Sequence, residues 1–372
     1  MPLRPREFVQ HLTPYEWEAM ASDVAAAAGI RESEVVRFDT NTAAWPPAAW
    51  EQTVLDLPRL PVNEYPHPSN EPLRSALAGR FGVAPEQVVV TCGADEALFL
   101  VATAYLGPGR AGVVADPSFS MFGVVTEAAG GRLVKVPVDE DWQLPLAPVL
   151  AAAREPSVGV VWLCSPSNPT GRTLADDFVP TLLRELPDVA VVVDEAYAEI
   201  SGCSIAELVL EAPNGILIRT FSKGYGLAGA RVGYVVSNAE VATTLETLRL
   251  PQNMTAFGIA AACRALEDQA GLQARVASIV AERTRFSQEL AARGWQLVPS
   301  SANFLLGSPP RPALEVAAWL QGAGLIVRTY PSHPRLKDWL RVTVRAPEED
   351  DRLVARLDAL TRASRDLSQR ER

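Results

Sequence analysis

The stretch Val158-Gly-Val-Val-Trp-Leu-Cys164 is apolar at every position and ends at a polar loop. A strand with one face in solvent alternates apolar and polar residues, whereas a strand covered on both faces is apolar throughout. The run is also shorter than an ordinary helix. It therefore predicts a β-strand buried on both sides in the interior of a parallel sheet.

Outward from this strand, short β-branched runs alternate with helical patterns such as Asp95 to Tyr105 and Ala175 to Leu186. This alternation is typical of βαβ units. It predicts the α/β class, with a mostly parallel central sheet and helices on both faces. The other predicted strands are Gln87 to Thr91, Gly112 to Ala115, Leu133 to Val136, Val189 to Val193, Gly215 to Arg219 and Val232 to Val236.

The two ends of the chain have a different pattern. Residues 1–46 contain one helical stretch and an extended segment, and residues 248–372 contain long helices with short strands between them. We predict that both ends form one smaller α+β domain, and that residues 47–247 form the large domain.

Composition argues against several functions. The chain has 34 Lys and Arg against 44 Asp and Glu, a net charge of −10, which disfavours nonspecific binding to nucleic acid or to an anionic membrane. No apolar run reaches the roughly 18 residues of a membrane span, so we expect no membrane partner and a cytoplasmic location. The three histidines lie far apart, and we predict no metal site.

Lysine is scarce in this chain, with only three residues, and Lys223 lies in a loop of small residues. Arginine supplies the other positive charges, but only lysine forms an imine with a carbonyl group. The nearby hydroxyls of Thr220 and Ser222 and the guanidinium of Arg231 suit a phosphate. We therefore interpret Lys223 as functional rather than as a solvated loop residue.

Three further loops follow predicted strands. Gly93 permits a tight turn, and the amides of Ala94 and Asp95 open a helix and could bind an anion, although an ordinary capped helix has the same pattern. Two prolines flank Asn168 and restrict its loop. Asp194 ends a buried strand and requires a cationic partner, which could be an arginine or a pyridinium N–H.

An imine-forming lysine, a phosphate cradle, a carboxylate for a ring nitrogen and amide and phenol donors together indicate pyridoxal phosphate. The chain resembles the class I and II aminotransferases of fold type I, and within them the histidinol-phosphate aminotransferases. The resemblance covers about residues 38 to 360. The motifs that carry it are Tyr65-Pro-His-Pro, Gly93-Ala-Asp-Glu, Asp141-Trp-Gln-Leu, Cys164-Ser-Pro-Ser-Asn-Pro-Thr-Gly, Asp194-Glu-Ala-Tyr, Thr220-Phe-Ser-Lys-Gly and Leu227-Ala-Gly-Ala-Arg-Val-Gly-Tyr.

The resemblance implies a role for each matching residue. Lys223 would bind the cofactor through a Schiff base and then move a proton between substrate and cofactor. Asp194 would keep the pyridine nitrogen protonated, Asn168 and Tyr197 would hydrogen-bond the ring oxygen, and Phe119 would stack on the ring. The residues that would hold the phosphate are Ala94, Asp95, Thr220, Ser222 and Arg231.

The resemblance also implies partners and substrates. Tyr65 would reach the phosphate of the neighbouring subunit, which implies a homodimer. Arg328 and Arg341 match the arginines that bind substrate anions, Asn41 lies in the pocket, and Tyr15 matches the segment that closes over it. The implied substrates are an amino acid or amino phosphate, such as histidinol phosphate, and a 2-oxo acid, 2-oxoglutarate.

Two departures leave alternatives open. Asp39-Thr-Asn-Thr-Ala-Ala-Trp-Pro replaces the usual Asn-x-Asn-Glu-Asn-Pro, and Thr343-Val-Arg345 replaces Thr-Val-Gly, which we expect to add a cation close to Arg341. Arg345, with Tyr330-Pro-Ser-His-Pro before it, also resembles the threonine-phosphate decarboxylases, which use the same cofactor. We predict an aminotransferase. The alternatives are a decarboxylase or other lyase, and a noncatalytic module of a regulator.

Overall fold

The computed structural model describes residues 3, 8–9, 12 and 17–370 of the chain. Its strands are β1 (Val36–Arg37), β2 (Val88–Thr91), β3 (Ala111–Asp116), β4 (Arg132–Pro137), β5 (Val158–Cys164), β6 (Ala190–Asp194), β7 (Gly215–Thr220), β8 (Gly233–Ser237), β9 (Gln296–Val298), β10 (Phe304–Ser308), β11 (Leu325–Ile326) and β12 (Leu340–Thr343). Its α-helices are α1 (Ala21–Ala28), α2 (Ala49–Asp56), α3 (Leu73–Phe81), α4 (Gly93–Tyr105), α5 (Ser120–Ala128), α6 (Leu146–Ala153), α7 (Phe178–Glu185), α8 (Ala198–Ser201), α9 (Ala206–Glu211), α10 (Ala239–Leu248), α11 (Ala256–Glu267), α12 (Gln269–Ala292), α13 (Ala313–Gln321) and α14 (Pro347–Arg370).

Seven of these strands form one central sheet in the order β2-β8-β7-β6-β5-β3-β4. Strand β8 runs antiparallel to both of its neighbours, and the other pairs are parallel. The predicted α/β class with a mostly parallel sheet is confirmed. Strand β5 has the bounds that the apolar run predicts.

Apolar clusters cover both faces of the central sheet. Along β5, Val161 and Leu163 belong to the cluster on one face, and Val160 and Trp162 belong to the cluster on the other. Successive side chains of a strand point to opposite faces, so an all-apolar strand supplies both clusters at once. This burial explains why the run contains no polar position.

The two ends of the chain pack into a second, smaller unit. Strands β9, β10 and β12 form an antiparallel sheet, and β1 pairs in parallel with β11. Val36 and Phe38, from the N-terminal end, are buried in the same cluster as residues of α12, α13 and α14. Residues 36–38 therefore pack with the C-terminal segment, and the division into residues 1–46, 47–247 and 248–372 stays a prediction. Within the described residues, no helix has the length and apolarity needed to cross a membrane.

A buried ionic cluster links strand β7 to the segment that follows β6. Arg219, on β7, donates from Nε and Nη2 to Glu195 and from Nη1 to Glu199, at 2.6 to 3.1 Å. The three side chains are each less than a tenth exposed. Burial raises the pKa of Glu199, although the adjacent Arg219 acts in the opposite direction. The cluster joins the segment after β6 to the strand that leads to Lys223.

Replacement of Arg219 by methionine is expected to lower the free energy of unfolding by about 3 to 5 kcal/mol, because two buried carboxylates lose their cation. Urea unfolding followed by circular dichroism measures this difference. The matched control is Arg154→Met, which removes a pair with Glu185 in which both side chains are largely exposed; it should change stability by no more than about 1 kcal/mol. Equal effects of the two substitutions would contradict the stabilising role of the buried cluster.

Candidate active site

The sequence-predicted site residues gather at one edge of the central sheet. In parallel strands the carboxyl ends share an edge, and ligands of open α/β sheets bind there. Asp194 is the last residue of β6, and the loops that carry Asn168 and Lys223 follow β5 and β7 at this edge. Strand β8 runs the other way, so Arg231 reaches the same edge from just before its start.

An anion cradle lies at the start of α4. Gly93 has a φ of +79°, and a Cβ at this position would lie 2.5 Å from Nη2 of Arg231. That guanidinium donates to the Asp95 carboxylate at 3.2 Å, which fixes it beside the helix terminus. Within the described chain, no side chain caps the first turn of α4. Its amides and the guanidinium are thus placed to bind a phosphate.

Two hydroxyls complete this cradle. Thr220 and Ser222 are buried, and their oxygen atoms lie 2.9 Å apart. The Ser222 amide donates to the Thr220 hydroxyl at 3.1 Å, which fixes the turn that leads to Lys223.

Lys223 extends from this turn toward the small unit. Its Nζ donates to the backbone carbonyl of Thr40 at 3.2 Å and lies 5.9 Å from the ring centroid of Tyr197. Burial lowers the pKa of Lys223 to about 8, and the charge of Arg341 acts in the same direction. About a tenth of this amine is therefore unprotonated and nucleophilic at pH 7, far more than for an ordinary lysine.

Asp194 ends β6, Tyr197 follows three residues later, and both side chains are buried. The Asp194 carboxylate accepts from the Ala196 amide at 2.9 Å, yet burial raises its pKa to about 7. The Tyr197 hydroxyl accepts from the Asn41 side chain at 3.1 Å, which leaves its proton for another acceptor. Burial also raises the pKa of Tyr197, so the phenol stays protonated.

Asn168 and Arg341 meet at the same edge. Nη1 of Arg341 donates to the Asn168 side-chain oxygen at 2.7 Å, and Nη2 donates to the Asp39 carbonyl. The Asn168 amide N–H thus remains to donate elsewhere. Among the described residues, no carboxylate lies within ion-pair distance of Arg341, and its buried Nε has no hydrogen-bond partner. This guanidinium has unused capacity for an anion.

The segment from Asp39 to Thr42 brings the small unit to the site; the sequence predicts Asn41 in the pocket but not the contacts that this segment makes. Asn41 has a φ of +53°, and its backbone N–H donates to the Thr343 hydroxyl at 3.0 Å. Its carbonyl accepts from Asn303 at 3.0 Å. The Asp-Thr-Asn-Thr motif was the available signal, but Thr343 and Asn303 lie 302 and 262 residues away from Asn41 along the chain.

Arg345 does not act as an additional free cation close to Arg341, contrary to the expectation from the sequence. It forms a bidentate pair with Glu349 at 3.1 and 3.2 Å. Its Nη1 also donates to the carbonyls of Thr42 and Ala43. The acidic first turn of α14 neutralises this charge, and the side chain supports the segment that contacts Lys223 and Tyr197.

The remaining predicted residues lie in different surroundings. Arg328 and Arg341 are cross-strand neighbours, since the backbone N–H of each donates to the carbonyl of the other. The Phe119 ring is partly buried and packs edge to face on Phe122. Tyr65 is 82% exposed and lies on the outer surface of this chain. Tyr15 lies outside the described residues.

These features fit pyridoxal phosphate. The cradle at Gly93 and Arg231 suits its phosphate, and Lys223 offers an amine for its aldehyde. Asp194, buried without a cation at hydrogen-bond distance in the described chain, suits a pyridinium nitrogen.

Known proteins are similar to this chain over most of its length. The family described as Aminotransferase class I and II matches residues 33–357. A histidinol-phosphate aminotransferase from Roseiflexus castenholzii is 35% identical over 95% of this chain and 96% of its own. An aromatic amino acid aminotransferase from Cutibacterium acnes is 34% identical over 84% of this chain and 88% of its own. The crystal structure of histidinol-phosphate aminotransferase from Sinorhizobium meliloti in complex with pyridoxal-5'-phosphate superposes with a TM-score of 0.87, at 28% identity, over 97% of this chain and 98% of that one.

Replacement of Asp194 by asparagine is expected to stabilise the cofactor-free protein at alkaline pH. The pKa of Asp194 is about 7 in the folded state, against about 3.9 in an unfolded chain. As pH rises from 4 to 8, this residue ionises in the unfolded chain before it ionises in the folded chain. The folded state therefore loses stability over this range. Asparagine avoids this cost, so the variant should gain up to about 4 kcal/mol over the parent protein across that range.

Urea unfolding of the cofactor-free proteins at pH 4.5 to 8 measures this gain. The control is Asp176→Asn at an exposed position, for which the difference from the parent should not change with pH. A difference for Asp194→Asn that is constant across this pH range would show that the carboxylate is not held near neutrality by burial.

Proposed function

The chain belongs to the class I and II aminotransferases, and on this premise we propose which residues carry its pyridoxal-phosphate-dependent amino transfer and which substrates it uses. When bound, pyridoxal phosphate withdraws electrons from the α-carbon of an amino acid joined to it, which makes the α-proton acidic. The single observation that carries the proposal is the partly buried Lys223 between the phosphate cradle and Arg341, for which the described residues provide no carboxylate at ion-pair distance.

The cofactor would be held by residues of the large unit. Its phosphate would lie against the first turn of α4, where Arg231 donates, and against the hydroxyls of Thr220 and Ser222. Asp194 would ionise fully once a pyridinium N–H lies beside it, because an opposite charge lowers the pKa that burial has raised. Asn168 and Tyr197 would donate to the ring oxygen, and Phe119 would stack on the ring.

Lys223 would have two tasks. It would bind the cofactor aldehyde through its amine, and after the amino acid has displaced it, the neutral amine would take the α-proton and deliver it to C4′ of the cofactor. A pKa of about 8 suits both tasks, because a base works best when its pKa lies near the working pH.

The substrates would be anchored through Arg341. Its free capacity suits the carboxylate of an amino acid or the phosphate of histidinol phosphate. We propose histidinol phosphate or a related amino acid as the donor and 2-oxoglutarate as the acceptor, supported by the similarity to histidinol-phosphate aminotransferases. An aromatic amino acid is the second candidate donor, supported by the relative from Cutibacterium acnes.

Mixing the purified holoenzyme with histidinol phosphate, L-phenylalanine or L-glutamate, one at a time, tests this assignment. A productive donor should bleach the visible absorbance of the enzyme and release one equivalent of its oxo product, and 2-oxoglutarate should restore the absorbance. Lys223→Ala should reduce this half-reaction by several orders of magnitude while the protein stays folded, and Lys135→Ala, at an exposed position, should leave it unchanged. Release of carbon dioxide with the absorbance retained would contradict amino transfer.

We further propose that the enzyme is a homodimer with shared sites. Tyr65 is 82% exposed, and Val62 and Leu250 are 86% and 71% exposed. Arg249, beside Leu250, donates to the carbonyl of Pro68, which links the two exposed segments. Apolar side chains exposed in this way suit a protein interface, and a second subunit would bring its Tyr65 to the cradle.

Mixed dimers of Tyr65→Ala and Lys223→Ala subunits are expected to recover activity that neither parent has. In a mixed dimer the intact Lys223 of one subunit meets the intact Tyr65 of the other, so equal mixing should restore about a quarter of the wild-type sites. Activity after co-refolding of the two variants measures this recovery. If Tyr65 served its own subunit, mixing would restore nothing beyond the sum of the parents.

A further inference from the structure

The second substrate arginine, Arg328, already has a carboxylate beside it. Glu18, from the segment before α1, places Oε1 3.8 Å from Nη1 of Arg328. The same oxygen accepts from the Thr329 amide at 2.7 Å and from the Thr329 hydroxyl at 2.9 Å. Two hydrogen-bond donors of Thr329 and the Arg328 guanidinium at ion-pair distance thus face one carboxylate oxygen, as they would face a substrate anion.

This pair is largely enclosed. The side chains of Arg328 and Glu18 are 15% and 16% exposed. The Arg328 guanidinium also lies 5.7 Å from the ring centroid of Tyr330. Partial burial reduces screening by water, so Glu18 cancels much of the charge that Arg328 would offer to a ligand.

The neighbouring cations are neutralised in the same way. Arg345 pairs with Glu349, and Arg37 forms a bidentate pair with Asp39 at 2.6 and 2.7 Å. Arg341 differs, since no carboxylate in the described part of the chain lies within ion-pair distance of it. Arg328 and Arg341 lie side by side on paired strands. Of these two guanidinium groups, only that of Arg341 is therefore available to bind a substrate anion.

We propose that Glu18 is a specificity-determining residue that occupies the second anion position of the substrate site. This inference rests on the proposed function. The preferred donor then carries one anionic group, bound by Arg341, and an uncharged side chain that lies near the Glu18 and Arg328 pair. A substrate with two anionic groups, the acceptor 2-oxoglutarate included, must displace Glu18, so it binds more weakly than it would to a site without this carboxylate.

Replacement of Glu18 by glutamine tests the proposal, because it keeps the shape of the side chain and removes its charge. The apparent dissociation constant of L-glutamate, from the bleaching of the holoenzyme, should fall about tenfold. The constants for L-phenylalanine and histidinol phosphate, which carry one anionic group each, should stay within about twofold, and this constancy shows that the segment remains folded. Glu32→Gln, at an exposed position, is the matched control.

A double-mutant cycle with Arg328→Gln identifies the interaction responsible. In the Arg328→Gln background, Glu18→Gln should no longer improve the binding of L-glutamate. An unchanged ratio of the glutamate and phenylalanine constants in Glu18→Gln would overturn the proposal while amino transfer stands. If the wild-type holoenzyme reacted with none of the three donors, the proposed function itself would fail.

Discussion

Burial of the central sheet on both faces is the constraint on which the rest of the molecule depends. Because apolar clusters enclose both faces, polar side chains are tolerated only where a strand ends or where they are fully paired. Asp194 and Thr220 meet the first condition, at the carboxyl ends of β6 and β7. Arg219 meets the second, because Glu195 and Glu199 satisfy its guanidinium inside the protein. The chemistry of the molecule is therefore confined to one edge of the sheet.

Buried charges at this edge are of two kinds. In the Arg219 cluster, the guanidinium pairs with Glu195 and Glu199, and the cluster links the segments that carry Asp194 and Lys223. Asp194 and Lys223 instead have pKa values displaced toward neutrality, near 7 and near 8, because burial is not offset by a close partner. The paired Arg219 cluster stabilises the fold. Burial of Asp194 and Lys223 lowers the stability of the fold, and a bound cofactor and substrate would restore it.

The sequence predicts elements whose signal is local. The bounds of β5 follow from seven consecutive apolar residues, and the loops after the strands contain compact motifs. Helix α7 begins at Phe178 rather than at Ala175, because residues 176–177 form a turn that the apolar period does not reveal. The partners of Arg328 and Arg345 could not be predicted, since Glu18 lies 310 positions from Arg328 in the sequence, and an acidic residue does not show which cation it will meet. The left-handed backbone of Asn41 is held by Thr343 and Asn303, which lie 302 and 262 positions away in the sequence. The roles of the site residues stay predictions.

The pairing of β1 with β11 has a consequence for the order in which the chain folds during synthesis. All seven strands of the central sheet come from one continuous segment, from Val88 to Ser237. Val36, in contrast, pairs with Leu325, so this pair can form only after 289 further residues have been synthesised. The large sheet can therefore form on the nascent chain before the small unit does. The Thr40 carbonyl that accepts from Lys223 lies in the segment after β1, so the lysine site is completed only after the small unit has formed.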